Sequence, residues 1–504
     1  IRDLDSSLVG SEMCIRDRSK EPLHRMARAA EQAVGDLEGF RKSLPVSHQV
    51  PLVQDPQDPA PGTEPATTPL QTKIVQNLEV SKNIEKWRPA MTAEYRGLLS
   101  AVEPLSDATM ETWKRQNVAF EVIPSKLIFS VKPDGRLKCR SVCCGNYMSE
   151  DWTKADRYSG GVDAITLRVL VRQAGEQRYD AGVVDVTQAF LTAPLLSHGR
   201  KIVVRVPAMF TRHQVCQERF WLVTQALYGL AISPRSWAVH RDVTLSGAVF
   251  PMPYNTDEGE KHEDAQVELL EADPNVWIIR SATRTFATLA VYVDDLICLG
   301  PTPCVRAALS ALGKLWKCSA PKVLSEAGGV DFNGFSLQWT EEGIRVHQDR
   351  YTEDLLSRHE EIQGEAETPA LKAFEEPEQE SGPTYPAALK RAQAIAGELL
   401  WLSTHTRLDL AYACAIIGSL VSKAPTQALE RSAQVVKYLR RFPREGLLYG
   451  PAPQDLGKSE ALSVLRSQAT LEGYSDASFA PNAGKSHHGV ILCLGGAPVC
   501  WTSK

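Results

Sequence analysis

Two adjacent aspartates, Asp294 and Asp295, interrupt the apolar stretch ATLAVYVDDLICLG at residues 287–300. The apolar residues on both sides favour two strands joined by a tight turn. A buried carboxylate is strongly unfavourable unless it is neutralised, and two adjacent carboxylates also repel each other. The stretch can therefore fold in two ways. Either the acids lie in a solvated hairpin turn, where aspartate is common, or divalent cations neutralise them inside a site.

A third acid favours the second interpretation. In AGVVDVTQAFL, residues 181–191, Asp185 also ends an apolar strand. If the two strands lie side by side, Asp185 comes close to the acid pair. Such a cluster is stable only if cations bridge it, with two ions roughly 3.5–4 Å apart. Two-metal sites of this kind suit phosphoryl or nucleotidyl transfer.

The composition indicates a multidomain, soluble, intracellular protein. Its 504 residues suffice for several domains, and the 43% hydrophobic and 23% charged residues are ordinary for a globular protein. The net charge of -5 does not by itself indicate nucleic-acid binding, although the acidic segments 255–273 and 360–380 can mask a basic groove. The 11 cysteines include no CxxC pair and no Cys/His set at zinc-finger spacing, which argues against a zinc finger and indicates reduced thiols. No apolar run is long enough to span a bilayer, and no signal peptide is expected.

The chain divides into segments of different pattern. Residues 1–18 have no relation to the rest in composition, resemble a translated sequencing adapter and are set aside as an artefact, with a genuine short disordered leader as the alternative. Residues 19–75 are expected to be a disordered leader and linker, rich in proline at 50–69. From residue 76 the pattern is globular, and beyond a Pro/Glu-rich hinge near 364–387 it becomes helical.

Turn and cap residues predict individual elements. Two strands are expected around a turn at residues 133–135, and two more around residues 341–343 with a helix after them. Asp163 is a candidate N-cap of an amphipathic helix. The polar segment 257–273 is expected to enlarge a loop, and residues 487–488, two histidines, to lie in a surface loop rather than to bind a metal. A β-meander is expected at the end of the chain.

The motifs and their order resemble the reverse transcriptase of copia-type LTR retrotransposons. VDVTQAFL (184–191) is similar to that family's first catalytic motif, and YVDDL (292–296) to its catalytic hairpin. QALYGLAISPRSW (225–237) is similar to its Leu-Tyr-Gly-Leu motif. KPDGRLKCRSV (132–142) resembles the segment that contacts the incoming nucleotide, and GYSDASFA (473–480) resembles the start of the attached RNase H domain.

The resemblance covers roughly residues 84–504 and implies a fold. The expectation is an α+β right-hand polymerase with fingers, palm and thumb, followed by a truncated RNase H-like α/β domain. Fingers and palm are expected in 76–345, the thumb and connection in 346–455, and the incomplete RNase H-like domain in 466–504.

The resemblance also implies an RNA-directed DNA polymerase that extends a primer 3′-hydroxyl with dNTPs. Asp185, Asp294 and Asp295 would bind two Mg²⁺ ions, with Mn²⁺ as an alternative, and the backbone carbonyl of Val186 would add a ligand. Because adjacent side chains in a hairpin point differently, Asp294 is expected to contact both ions and Asp295 to be more peripheral.

The implied nucleotide site contains cationic, aromatic and glycine residues. Lys138 and Arg140 would neutralise the triphosphate, and Phe190 would exclude a ribose 2′-hydroxyl by its bulk. Tyr228 and Gly229 would line the pocket, supported by Pro234, Arg235 and Trp237. Taken without the resemblance, the two cations also suit a solvated strand face, and the two aromatic residues also suit a core.

The chain departs from the family's pattern in two places. SVCCGN (141–146) stands where the fingers segment usually continues with a basic residue. An RNase H site needs several carboxylates around two metals, and Asp476 matches only the first of them, so RNase H activity is expected to be absent. The alternative function is therefore a catalytically inactive remnant that keeps the fold and binds nucleic acid. A two-metal nuclease would explain the acids, but not the LYGL motif with Lys138 and Arg140.

The implied partners are an RNA or DNA template with its primer, and dNTPs, with no membrane. The implied location is a cytoplasmic virus-like particle or the nucleus. Because phosphate contacts dominate this kind of binding, it should depend strongly on salt.

Overall fold

The computed structural model describes residues 73–132, 134–257, 259–371, 386–451, 470–478 and 486–504. The expected artefact at 1–18 lies outside these residues, as do most of the linker 19–75 and of the hinge 364–387. The linker ends earlier than expected, because Lys73–Val75 form a strand that pairs with Phe129, Ser130 and Val131. The reason is hydrophobic: Val75 is buried beside Phe129 in the same core.

The described helices range from 4 to 20 residues in length. In chain order they are α1 (Asn77–Lys82), α2 (Ile84–Leu98), α3 (Asp107–Arg115), α4 (Lys154–Arg157), α5 (Ala164–Glu176), α6 (Ala189–Thr192), α7 (Ala208–Arg212), α8 (Ser233–Ser246), α9 (Thr302–Leu315), α10 (Leu324–Ala327), α11 (Asp349–Arg358), α12 (Pro386–His405), α13 (Ala411–Leu420) and α14 (Pro425–Arg441).

The described strands form four separate sheets. In chain order they are β1 (Lys73–Val75), β2 (Val102–Leu105), β3 (Phe120–Val131), β4 (Leu137–Cys143), β5 (Asp180–Asp185), β6 (Lys201–Arg205), β7 (Phe220–Val223), β8 (Val249–Thr256), β9 (Gly259–Leu269), β10 (Val276–Arg280), β11 (Thr285–Tyr292), β12 (Asp295–Gly300), β13 (Lys322–Val323), β14 (Val330–Phe332), β15 (Phe335–Trp339), β16 (Ile344–His347), β17 (Leu447–Tyr449), β18 (Leu471–Ser478), β19 (His487–Leu494) and β20 (Ala497–Ser503).

The first sheet has six strands and is covered by α2. Its order is β1-β3-β6-β7-β2, with β4 paired to β3 beside this path. The β3–β4 hairpin confirms the two strands predicted around residues 133–135. Helix α2 buries Trp87, Met91 and Leu98, whose helical spacing the sequence displays, and the ring of Trp87 packs edge-on against Phe129 of β3.

The second sheet has seven strands in the order β13-β5-β12-β11-β10-β9-β8. Strand β12 lies near its centre and is buried on both faces. Leu296 and Cys298 point into a core with α8 and α9, while Ile297 and Leu299 point into a second core with α5. Two-sided burial explains why the sequence of this strand is a continuous apolar run rather than an alternation.

The polar segment 257–273 is not the enlarged loop that we expected. Most of it lies in the antiparallel β8–β9 hairpin, which extends the seven-stranded sheet. Phe250 and Met252 of β8, with Ala265 and Val267 of β9, are buried, while polar residues alternate with the latter pair on the other face of β9. One buried apolar face is enough to form strands despite the excess of acids.

The third sheet and the long helices follow. Strands β14, β15, β16 and β17 form a four-stranded sheet, and β15, β16 and α11 confirm the two strands and helix predicted around residues 341–343. Helices α12, α13 and α14 share one hydrophobic core with Leu355 of α11.

The fourth sheet is the predicted C-terminal meander, β18-β19-β20. It is docked by two buried arginines of α5. The Arg168 Nε donates to the carbonyl oxygen of Val499 at 2.7 Å, and the Arg172 Nε donates to that of Leu494 at 3.0 Å. The expected surface loop at residues 487–488 is wrong, because both histidines belong to β19 and pair with β18.

The fold is thus a mixture of helices and mainly antiparallel sheets, as the α+β expectation requires. The capping prediction is confirmed at α5, where the Asp163 carboxylate accepts the N–H of Thr166 at 2.7 Å. Within the described part of the chain, no helix combines the length and the apolarity needed to cross a membrane.

Candidate functional site

Three carboxylates come together at one end of the seven-stranded sheet. Asp185 is the last residue of β5 and lies directly opposite Asp295, the first residue of β12. Asp294 occupies the turn that precedes β12. One carboxylate oxygen from each of the three residues lies within 4.8 Å of the others. The clustering that the sequence predicts is therefore present, and antiparallel strand register produces it.

The turn that carries Asp294 is tight and strained. Tyr292 pairs with Asp295, so that Val293 and Asp294 alone connect the strands. Val293 has a φ of +57°, which is a rare conformation for a β-branched residue. The turn is therefore held by its surroundings and not by its own preference.

Two hydrogen bonds hold the turn from outside. The indole Nε1 of Trp237, a fully buried residue of α8, donates to the carbonyl oxygen of Val293 at 2.6 Å. The N–H of Val186 donates to the carbonyl oxygen of Asp294 at 2.9 Å. Trp237 thus supports the acidic turn directly, which differs from the expected support of Tyr228 and Gly229.

The segment after β5 is fixed in a similar way. The N–H of Asp185 donates to Ser319 Oγ at 3.0 Å, and the N–H of Ser319 donates back to the carbonyl oxygen of Asp185 at 2.8 Å. Val186 bridges to Cys318. Burial, and to a lesser degree the charge of Asp185, raises the pKa of Cys318 to about 11, so this thiol stays protonated near pH 7.

These donors fit a hard divalent cation. All three side chains of the cluster are half-buried carboxylates, and oxygen ligands are those that Mg²⁺ and Mn²⁺ prefer. The direct ligand role of the Val186 carbonyl, and the peripheral role of Asp295, stay predictions.

Side-chain contacts connect β4 of the six-stranded sheet with the helix that follows Asp185. The Arg140 guanidinium lies over the Tyr228 ring, 4.3 Å from its centroid. The Tyr228 ring in turn lies 5.4 Å from that of Phe190, on the helix that follows Asp185. The structure therefore joins three of the predicted nucleotide-binding residues in one contact chain. Lys138 stands two residues before Arg140 on β4, on the same half-buried face.

Gly229 is required by backbone geometry. Its φ is +86°, and a Cβ at this position would collide with the carbonyl oxygen of Cys143. The N–H of Cys143 donates to the carbonyl oxygen of Tyr228 at 2.8 Å, and that of Gly145 to the carbonyl oxygen of Gly229 at 2.9 Å. The glycine thus allows the Tyr228 turn to pair closely with the chain at the end of β4.

Asp476, the remaining predicted site residue, lies apart from this cluster. It is exposed on β18 with Gly489 opposite, and its carboxylate accepts the N–H of Ala477 at 2.9 Å. In the ranges that the structure describes, Asp185, Asp294 and Asp295 form the one group of three potential metal-ligating side chains.

No model of a known protein family matches this chain. It is similar to retrovirus-related Pol polyproteins of transposons. The protein from transposon RE2 of Arabidopsis thaliana is 24% identical over 432 residues, which is 83% of this chain and 26% of that protein. The protein from transposon TNT 1-94 of Nicotiana tabacum is 23% identical over 396 residues, 75% of this chain and 27% of that protein. The chain thus spans about a quarter of the length of these curated relatives, and the resemblance seen in the motifs is confirmed.

A solved structure also aligns with the chain. It is a foamy viral protease-reverse transcriptase in complex with double-stranded DNA. The TM-score is 0.42 at 13% identity, over 96% of this chain and 68% of that one.

Proposed function

We propose that this chain is the RNA-directed DNA polymerase part of a retrotransposon Pol polyprotein. One observation carries the proposal: the register of β5 against β12 puts Asp185 opposite Asp295, with Asp294 in the adjoining turn. The similarity to transposon Pol polyproteins over most of the chain supports it.

Asp185, Asp294 and Asp295, with the Val186 carbonyl, would hold two Mg²⁺ or Mn²⁺ ions. When bound, the ions would lower the pKa of the primer 3′-hydroxyl and neutralise charge on the triphosphate. The primer 3′-hydroxyl would lose its proton to solvent, its oxygen would form a bond to the α-phosphorus while the bond from that phosphorus to the bridging oxygen breaks, and pyrophosphate would leave.

The cationic strand would bind the triphosphate. Arg140 offers several N–H donors in a planar fork, which suits phosphate oxygens, and Lys138 adds a second positive charge. The packing of Arg140 on Tyr228 holds the guanidinium. Phe190, in contact with Tyr228, would lie beneath the sugar and exclude a 2′-hydroxyl, so that dNTPs are selected.

The four sheets suggest an assignment of the polymerase parts. Residues 76–345 would form the fingers and palm, with the six-stranded sheet, which β1 extends to Lys73, in the fingers and the seven-stranded sheet in the palm. Residues 346–455, with helices α11 to α14, would form the thumb and connection, and residues 466–504 would begin an RNase H-like domain. An RNA or DNA template with its primer would be the partner.

Primer extension on poly(rA)/oligo(dT) with Mg²⁺ tests the proposal. The chain should incorporate dTTP, and the variant Asp294→Asn should not. Asp264→Asn is the matched control, since Asp264 is an exposed acid on β9 of the same sheet. Equal incorporation by the wild-type chain and Asp294→Asn would overturn the assignment. Absence of incorporation by all three, with binding of nucleic acid retained, would indicate the inactive remnant.

Phe190→Ala tests the sugar filter separately. Loss of the ring opens space beneath the sugar, so the ratio of dUTP to UTP incorporation should fall by about 10-fold to 100-fold, as for the removal of a specific steric contact. The measurement is single-nucleotide extension with each substrate. An unchanged ratio would exclude the steric role of Phe190.

A further inference from the structure

The edge of β4 that faces away from β3 is covered by three different acceptors. Strand β4 pairs with β3 alone among the described strands, so the N–H groups on its other edge need partners from elsewhere. The N–H groups of Cys143 and Gly145 donate to the carbonyl oxygens of Tyr228 and Gly229, respectively. The N–H of Ser141 donates instead to a side chain, the carboxylate of Glu94, at 2.7 Å.

Glu94 therefore takes the place of a backbone carbonyl in this row of hydrogen bonds. It lies on α2, is half-buried, and is 47 positions from Ser141 along the chain. A hydrogen bond from a backbone N–H to a carboxylate is stronger than one to a neutral acceptor. The bond fixes β4 at the residue that directly follows Arg140.

The charges around Glu94 support a connection with the nucleotide site. Burial raises the pKa of Glu94 above its ordinary value, whereas the Ser141 N–H and the positive charges of Arg140 and Lys138 act in the opposite direction. The carboxylate is thus close enough to both cations to interact with them. Since Arg140 also contacts the Tyr228 ring, its position depends on Tyr228 as well as on the strand that Glu94 holds, and both residues lie along the edge of β4 that faces away from β3.

Helix α2 also contacts the segment that carries the acids. A methyl group added at Gly97, three residues after Glu94, would lie 2.8 Å from the side-chain nitrogen of Gln188. Gln188 stands between Asp185 and Phe190 and has a φ of +56°. One face of α2 therefore contacts both the cationic strand and the segment that joins Asp185 to Phe190.

We propose that Glu94 is a positioning residue of the nucleotide site: by accepting the Ser141 N–H, its carboxylate holds β4 so that Arg140 and Lys138 face the triphosphate of the incoming dNTP. This inference depends on the proposed polymerase function. Glu94 does not touch the reacting atoms and acts through the two cations.

Kinetics of two variants test this role. Glu94→Ala removes the acceptor, and the KM for dTTP should rise about tenfold, with kcat changed less than about threefold, because a binding contact is weakened while the acids are untouched. Glu94→Gln keeps an acceptor oxygen, so its KM should lie within about threefold of that of the wild-type chain. Glu85→Ala on the same helix is the control, since Glu85 is exposed and bonds to Arg88, and it should leave KM unchanged.

A second readout does not depend on turnover. Amide exchange followed by mass spectrometry should show faster exchange across β4 in Glu94→Ala than in Glu94→Gln. Calorimetric titration with dTTP, with Ca²⁺ in place of Mg²⁺, measures binding of the nucleotide directly. Glu94→Ala should bind dTTP about tenfold more weakly than the wild-type chain does. Absence of both incorporation and dTTP binding in the wild-type chain would remove the polymerase assignment. If the wild-type chain incorporates dTTP, two results would overturn only the role of Glu94 and leave the polymerase assignment standing. They are an unchanged KM in Glu94→Ala and an equal rise of KM in Glu94→Ala and Glu94→Gln.

Discussion

Asp185 and Asp476 are both strand aspartates that the motifs single out, yet their surroundings differ. Asp185 ends an inner strand of the seven-stranded sheet, where β12 brings Asp295 opposite it and Asp294 beside it. Asp476 is exposed on β18 and faces Gly489. Cross-strand register, more than the local motif, therefore determines whether a carboxylate shares a potential metal site. In the described chain, the site of Asp185 is assembled and that of Asp476 is a single acid.

The largest difference should be in activity. Asp185→Asn removes one charge and one ligand from the cluster, and primer extension should fall by at least ~1000-fold, since metal ions contribute several kcal/mol to the transition state and each ~1.4 kcal/mol is tenfold. Asp476→Asn should leave primer extension unchanged. The measurement is the initial rate of dTTP incorporation at saturating Mg²⁺, and similar losses in both variants would contradict the comparison.

The second difference concerns how the sheet of Asp476 is attached. Arg172 donates to the carbonyl oxygens of Leu494 and Gly495 and pairs with Glu176 at 3.2 Å. Because Glu176 is buried as well, Arg172→Ala leaves an uncompensated charge, and the free energy of unfolding should fall by about 3–5 kcal/mol. Urea denaturation measures this.

Arg178→Ala is the matched control for that experiment. Arg178 is exposed beyond the end of α5 and makes one long hydrogen bond, of 3.4 Å to Glu341, so the change should be below about 0.5 kcal/mol. A small effect of Arg172→Ala, equal to that of the control, would mean that the three-stranded sheet is a loosely attached module.

The smallest expected effect concerns the strained turn beside Asp294. Trp237→Phe removes the donor to the Val293 carbonyl. Loss of this hydrogen bond should lower the free energy of unfolding by about 1 kcal/mol, and it should raise the Mg²⁺ concentration needed for half-maximal extension. Trp277→Phe removes the same ring volume, but Trp277 Nε1 is buried with no hydrogen-bond partner among the described residues. Both changes leave a cavity, so Trp277→Phe should lower the free energy of unfolding by about 1 kcal/mol less than Trp237→Phe does. Urea titrations and Mg²⁺ titrations of extension distinguish the two, and equal effects would exclude a role for the indole N–H.

Local patterns predicted much of this architecture. The apolar runs before Asp185 and around Asp294 are strands, and the capping signal at Asp163 begins α5. These predictions succeeded because each depends on neighbours in sequence. The β8–β9 hairpin was missed although Phe250 and Met252 show the two-residue period, because the many acids nearby suggested a solvated loop.

Contacts between distant segments were beyond sequence reasoning. The motif placed Trp237 beside Tyr228, but α8 carries its indole to the turn at Val293. Glu94 gives no local signal at all, since its partner Ser141 lies on another element. Both contacts depend on how whole elements pack, which periodicity and turn chemistry do not specify.

The central claim is that register gathers three carboxylates into a site for divalent cations. Mn²⁺ binding, followed by electron paramagnetic resonance, tests it without requiring activity. The wild-type chain should bind Mn²⁺, Asp185→Asn and Asp294→Asn should each weaken that binding at least ~10-fold through the loss of a charged oxygen ligand, and Asp476→Asn should not change it. Equal Mn²⁺ affinity in all four proteins would contradict the account.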